Sequence, residues 1–181
     1  VGQFYHIAVD NKLPYNIMGG MQDNGSWHGP AYTWTNGGIR NYYWNNIGGG
    51  DGFDVSPDPD DNNWVYSMSQ GGALGKVNVA TGEQMYIKPP SPDTNTRLRY
   101  NWNAGFAQDP FDSKTVYYGC QFLLKSTNKG LTWQVVSPDL TTDNKTQQKQ
   151  DENGGLSVDI TGAENYNTII CIEPSAKEKN V

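Results

Sequence analysis

Three carboxylates, Asp23, Asp51 and Asp54, lie in the glycine- and amide-rich stretches "QDNGSWHG" and "NIGGGDGFD". Glycoside hydrolysis needs two carboxyl groups about 5 to 9 Å apart, one protonated and one charged, so these three are the candidate catalytic residues. Aromatic and amide residues accompany them: Tyr5 and His6 in "GQFYHI", Gln22, Asn24 and Trp27 in the first stretch, and Asn101, Trp102 and Asn103 in "RYNWNAGF". Aromatic faces beside amides suit stacking on sugar rings or apolar side chains. These eight residues are the candidate ligand contacts. The competing reading is structural: glutamines can satisfy nearby backbone groups, and glycines can permit close packing. Both readings stay open at this level.

Other chemistries have less to work with. An anionic sugar needs clustered arginines, and only Arg40, Arg97 and Arg99 are present. The two histidines, His6 and His28, have no partner at metal-ligand spacing, and "DPDDNN" (58–63) reads as a solvated turn more readily than a calcium loop. No metal and no cofactor is expected. A formal net charge of −6 argues against a nucleic-acid partner, and no apolar run is long enough to insert into a membrane as a helix. Two cysteines, Cys120 and Cys171 in strand-like settings, read as buried small hydrophobes, with a disulfide as the alternative. Neither an initiator Met nor a signal-peptide pattern opens the chain, so an interior piece of something longer is expected.

The elements that would position these residues form a repeat. "AVDNKLPYNIMGGMQ", "VSPDPDDNNWVYSMSQ" and "AQDPFDSKTVYYGCQ" each carry an Asp followed twelve positions later by a Gln: Asp10 to Gln22, Asp58 to Gln70, Asp109 to Gln121. A β-branched residue, Ile17, Val65 or Val116, comes seven positions after each Asp, and a fourth copy opens at Glu173-Pro174. The anchors 10, 58, 109 and 173 are spaced by 48, 51 and 64, and the last gap holds the polar insert Thr141–Gly155. The anchor acids read as turn caps. Tyr- and Trp-rich segments punctuated by Gly, Asn, Asp and Pro favour short strands and turns. Four short strands per unit of about fifty residues describe a β-propeller blade.

"STNKGLTW" (Ser126–Trp133) fits a hairpin device of the form Ser-x-Asp-x-Gly-x-Thr-Trp, with Asn128 at the Asp position and Ser126, Gly130, Thr132 and Trp133 at the others. The amide caps the turn, Gly130 supplies its backbone shape, and Trp133 lays an indole over the sheet edge. This places a hairpin between the third and fourth strands of its unit. "SQGGALGKVNVATGEQ" replaces it with an Ala80–Glu83 turn, and "QDNGSWHGP" keeps only an echo. With these segments the chain, from about Gln3 to Leu140 and again from Asn153, resembles secreted bacterial Asp-box (BNR-repeat) propellers, the sortilin-like proteins often labelled glycosyl hydrolases.

The expectation is therefore an all-β protein, a partial β-propeller of about three blades plus the start of a fourth. The blades run 3–50, 51–102 and 103–160, with the next opening over 161–181. The resemblance implies export to an extracellular, cell-surface or periplasmic location. The expected function is a binding module for a glycan or a protein. A polysaccharide-directed glycoside hydrolase is the alternative, as is a structural subunit of an extracellular assembly that would bury the aromatic stretch Ala31–Asn46. A closed ring needs about four blades or more, so the remainder of its own chain, or another chain, is expected to complete it.

Overall fold

At each anchor Asp the chain reverses, and the same backbone bond closes the reversal. The Asp10 amide donates to the Asn16 carbonyl (3.2 Å), Asp58 to Trp64 (2.8 Å) and Asp109 to Thr115 (3.0 Å). Each carboxylate folds back into its own turn. Asp10 accepts from the Asn16 backbone and side-chain amides, Asp58 from the Asp60 amide, and Asp109 from the Phe111 and Asp112 amides. A short acceptor that satisfies turn amides is the physical reason for an Asp here.

A computed structural model describes residues 3–149, 152 and 165–181. The expected module 103–160 and the resemblance beyond Asn153 thus lie partly outside the described residues. The protein is all-β, with three four-stranded antiparallel sheets whose strands follow chain order. The first comprises β1 (Phe4–Val9), β2 (Asn16–Met21), β3 (Gly25–Pro30) and β4 (Asn45–Gly48). The second comprises β5 (Gly52–Pro57), β6 (Trp64–Ser69), β7 (Ala73–Asn78) and β8 (Gln84–Tyr86). The third comprises β9 (Phe106–Gln108), β10 (Val116–Gly119), β11 (Leu123–Ser126) and β12 (Gln134–Val135). Every anchor Asp sits between the first and second strands of its sheet, and every matching Gln follows the second.

Contacts divide the chain into two compact units, Val1–Ile87 and Lys88–Val181. In the first, the two sheets share a core of Met18, Ile47, Val55, Val65 and Val77. Two glycines let the sheets approach. A Cβ at Gly20 would strike the Gly52 and Phe53 backbone, and one at Gly52 would strike the Gly25 carbonyl; side chains there would force the sheets apart. In the second unit, Tyr118 is fully buried, with the rings of Tyr100 (5.3 Å), Phe106 (6.3 Å) and Trp133 (6.1 Å) around it. The segment 88–102 belongs here. Lys88 stands over the Tyr100 ring at 4.8 Å, and Gln121 accepts from the Arg99 amide.

A base stands in cross-strand register in each sheet: His28 opposite Met18, Lys76 opposite Tyr66 and Lys125 opposite Tyr117. Lys76 is buried and ion-paired to buried Asp58 at 3.1 Å, while its ammonium lies 4.8 Å from the Tyr66 ring centroid. Lys125 stands over Tyr117 at 5.5 Å, and Tyr117 donates to Asp109 (2.9 Å). Burial holds the His28 imidazole below its ordinary 6.5 against the opposing pull of Asp10. Each sheet thus carries an acid at the turn and a base on the third strand, and in the second sheet the two form an ion pair.

Two local expectations are corrected. "QDNGSWHGP" spans the turn between β2 and β3, with β3 itself; the third-to-fourth connection of that sheet is instead the long excursion 31–44. The Ala80–Glu83 turn joins β7 to β8; the Asn78 side chain accepts the Ala80 and Thr81 amides, and Thr81 Oγ1 accepts the Glu83 amide (3.2 Å). Finally, the cysteines are unbonded, and only Cys120 is buried; Cys171 is exposed. Its backbone runs along Gly105, where no side chain intervenes.

Candidate functional site

In the first unit the candidate residues gather where β1 and β2 meet the start of β5. The Tyr5 ring leans on Phe53 (centroids 4.8 Å, 37°), and its hydroxyl donates to Gln22 Oε1 (3.2 Å). His6 Nδ1 meets Asp54 Oδ1, and the imidazole is more than half exposed. Alternation along the strand explains the placement: His6 pairs with Gly20, whose missing side chain leaves room toward the second sheet.

The β2–β3 turn supplies the next residues. Asp23 takes a left-handed φ of 59°, followed by Gly25 at 68°. Asn24 Nδ2 donates to the Gln22 carbonyl (2.8 Å), and Trp27 Nε1 to the Asn24 carbonyl (2.7 Å). The Trp27 indole nitrogen is therefore engaged inside its own turn. Asp51 accepts the Asp23 amide (2.7 Å), and its own amide donates to Gln70 Oε1 (2.9 Å). Of the three candidate carboxylates, then, Asp51 holds a neighbouring turn and Asp54 holds His6. Asp23 contributes its backbone to the cluster.

In the second unit Asn101, Trp102 and Asn103 precede β9. Asn101 donates to Thr168 Oγ1 (3.2 Å), and Asn165 Nδ2 donates to the Tyr100 carbonyl (2.7 Å). Asn103 donates its amide to Asn101 Oδ1 (3.3 Å), while its own Oδ1 is buried without a hydrogen-bond partner. Trp102 is half-buried. Asn101 therefore latches its segment to 165–168. Arg99 is committed as well: its guanidinium reaches Asp139 (2.8 Å), Asp143 (3.3 Å) and Thr141 Oγ1 (3.2 Å). Burial pushes the Asp139 carboxyl up, but hydrogen bonds from Thr141 and Arg99 outweigh it and hold the group below its ordinary 3.8. An arginine tied to two acids is poorly placed to receive an anionic sugar.

The turn Ser126–Trp133 joins β11 to β12. Ser126 Oγ accepts the Gly130 amide (2.9 Å) and donates to Asn128 Oδ1 (2.9 Å). Asn128 Oδ1 also accepts the Thr132 amide (2.8 Å), and its Nδ2 donates to Thr132 Oγ1 (2.8 Å). Gly130 has a φ of 90°, where a side chain would be strained. The Trp133 ring stands 6.1 Å from the Tyr118 ring. With both side chains closing their own turn, this stretch reads as a staple.

Two pairings escaped the residue-by-residue reading. His6 and Asp54 were separate candidates, and only the packing of β1 on β5 joins them. The matching of an acid with a base was legible in principle for the first two sheets, since His28 and Lys76 are separated by the same 48 positions as Asp10 and Asp58. Among the described residues no three His, Cys, Asp or Glu side chains converge to hold a metal, and no helix is long and apolar enough to cross a membrane. The chain matches no protein-family model and no curated protein.

Proposed function

We propose that the chain is part of a β-propeller of the Asp-box class, and that it acts as an exported binding module. It engages a glycan or a protein through the end of the first two sheets where Gln22 and Gln70 lie. The ring reading is supported by one recurrence above others. The start of β5 passes β2 at Gly20, and the segment around Ile169 passes β10 at Gly119; both glycines stand two residues before their Gln. In these two cases the segment that follows begins against the same point of the sheet before it.

Further support comes from Ile7, which stands 48 positions before Val55. Val55 is 6 % exposed against the first sheet, whereas Ile7 is 75 % exposed. The first sheet turns to solvent the face by which the second sheet is packed. A further sheet, from the remainder of the same chain or from another chain, would cover it.

The binding role rests on the convergence of exposed Tyr5 and His6, from one repeat, with Asp54 and Asp51 from the next. A glycan array and a peptide-display screen of the chain test it. Tyr5→Ala and His6→Ala lower affinity for the selected ligand by about tenfold or more. Equal binding by both variants and the parent chain contradicts it.

A further inference from the structure

Asn followed directly by Gly occurs at 24–25, 36–37 and 153–154. Asparagine is a thermolabile residue, and a following glycine makes it more so. The glycine nitrogen can attack the asparagine side-chain carbonyl, and no Cβ on the glycine crowds its approach. The attack requires a backbone free to bring the two atoms together, and the fold treats the pairs differently in that respect. The third pair lies outside the described residues.

Asn24–Gly25 is locked. It forms the turn between β2 and β3, where Gly25 is buried and its amide donates to the Gly50 carbonyl (2.8 Å). The Asn24 side-chain nitrogen donates to the Gln22 carbonyl (2.8 Å), and the Asn24 carbonyl accepts from the Trp27 indole (2.7 Å). A Cβ at Gly25 would strike the Gly48 carbonyl, so the backbone has no room to turn. Attack at this pair must wait for a local opening that breaks these bonds.

Asn36–Gly37 has none of those restraints. Both residues are exposed in the excursion 31–44. The Gly38 amide donates to the Thr35 carbonyl (3.1 Å), which puts Asn36 and Gly37 at the two corners of a turn, with Gly37 at a φ of 99°. Among the described residues neither the Asn36 side chain nor the Gly37 amide makes a hydrogen bond. The Asn36 main-chain carbonyl meets only the Arg40 guanidinium, at 3.5 Å.

We propose that Asn36–Gly37 is a site of spontaneous deamidation. The Gly37 nitrogen bonds to Asn36 Cγ and gives up its proton, and the Cγ–Nδ2 bond breaks to release ammonia. Water then opens the five-membered imide. Addition at Cγ leaves aspartate; addition at the main-chain carbonyl leaves isoaspartate, whose backbone runs through Cγ and is one atom longer. Either route consumes water and releases ammonia, with no change of oxidation state. Arg40 is the sole charged residue in 31–46, so the new carboxylate cancels the charge of the loop beside the guanidinium already resting on this turn. The longer isoaspartate backbone also disturbs the hydrogen bond between Thr35 Oγ1 and the Tyr43 hydroxyl (2.8 Å), which ties the two arms of the excursion. The loop thus changes charge and shape with time. This site is separate from the Tyr5–Gln22 cluster and does not depend on it.

Peptide mapping of the full chain, held folded in mildly alkaline buffer, tests the assignment. Trypsin leaves Asn24 and Asn36 on one peptide, 13–40, and fragmentation reads the two positions separately. The mass gain of an amide turned acid accumulates at 36 faster than at 24 by about tenfold or more. Enzymatic methylation of isoaspartate marks position 36. In urea the two rates converge, because the unfolded chain presents both pairs alike. Asn36→Gln, whose longer side chain must close a six-membered ring, keeps its amide throughout. Equal rates at 24 and 36 in the folded chain overturn the proposal, as does an Asn36 that stays intact there, whatever happens in urea.

Discussion

His28 is a buried imidazole with both ring nitrogens lacking a hydrogen-bond partner, and burial lowers its pKa from 6.5. The depressed value means the folded state favours the neutral ring. Its contribution to stability is therefore complete above about pH 6.5 and is lost as pH falls through the folded value. The melting temperature of the chain should fall between pH 7 and pH 5, and His28→Leu should flatten that slope; an equal slope in the variant would show that other groups govern it. Lys76 and Asp58 make the complementary case of a charged buried pair. Asp58→Ala strands an ammonium in the sheet and should cost about 3–5 kcal/mol by urea denaturation. Pairing it with Lys76→Met should recover much of that loss. The anchor acids were legible because Asp and Gln recur at a fixed interval. Of the bases, His28 and Lys76 each follow their Asp by 18 positions, but Lys125 follows Asp109 by 16 and drops out of the sequence alignment, while the strand register keeps it in place.

At the scale of elements, the Ser126–Trp133 turn shows how few atoms define a hairpin. Asn128→Ala removes bonds to Ser126 and Thr132 and should destabilise by about 1–2 kcal/mol, measured by thermal or urea unfolding. Asn128→Asp keeps the acceptor that serves Ser126 and Thr132 and should be close to neutral; a loss as large as that of the alanine variant would refute the capping role. The excursion 31–44 marks the limit of such reading. Its aromatic density is plain in the sequence, but strand periodicity says nothing about a loop of this length, and the expected hairpin echo was placed one turn too early. The two cysteines illustrate the same limit, since strand-like flanks predicted burial for both, whereas Cys171 lies outside any strand and is exposed.

For the molecule as a whole, local periodicity specified the all-β class and the three-fold recurrence, because each repeat closes within about fifty residues. How the sheets are arranged around one another depends on contacts far apart in the chain, such as Gly20 with Gly52, which no short-range pattern encodes. The candidate site divides the same way: its aromatic and amide residues were recognisable by type, whereas the His6–Asp54 pair exists only through sheet packing. An experimental structure of the chain, with Asp10, Asp58, Asp109, Gln22, Gln70 and Gln121 as fiducial Cα positions, tests the central claim most directly. The account predicts that one rotation about one axis carries the first sheet onto the second and, applied again, the second onto the third. Two unrelated operations, or a second and third sheet stacked as the layers of a sandwich, would contradict it.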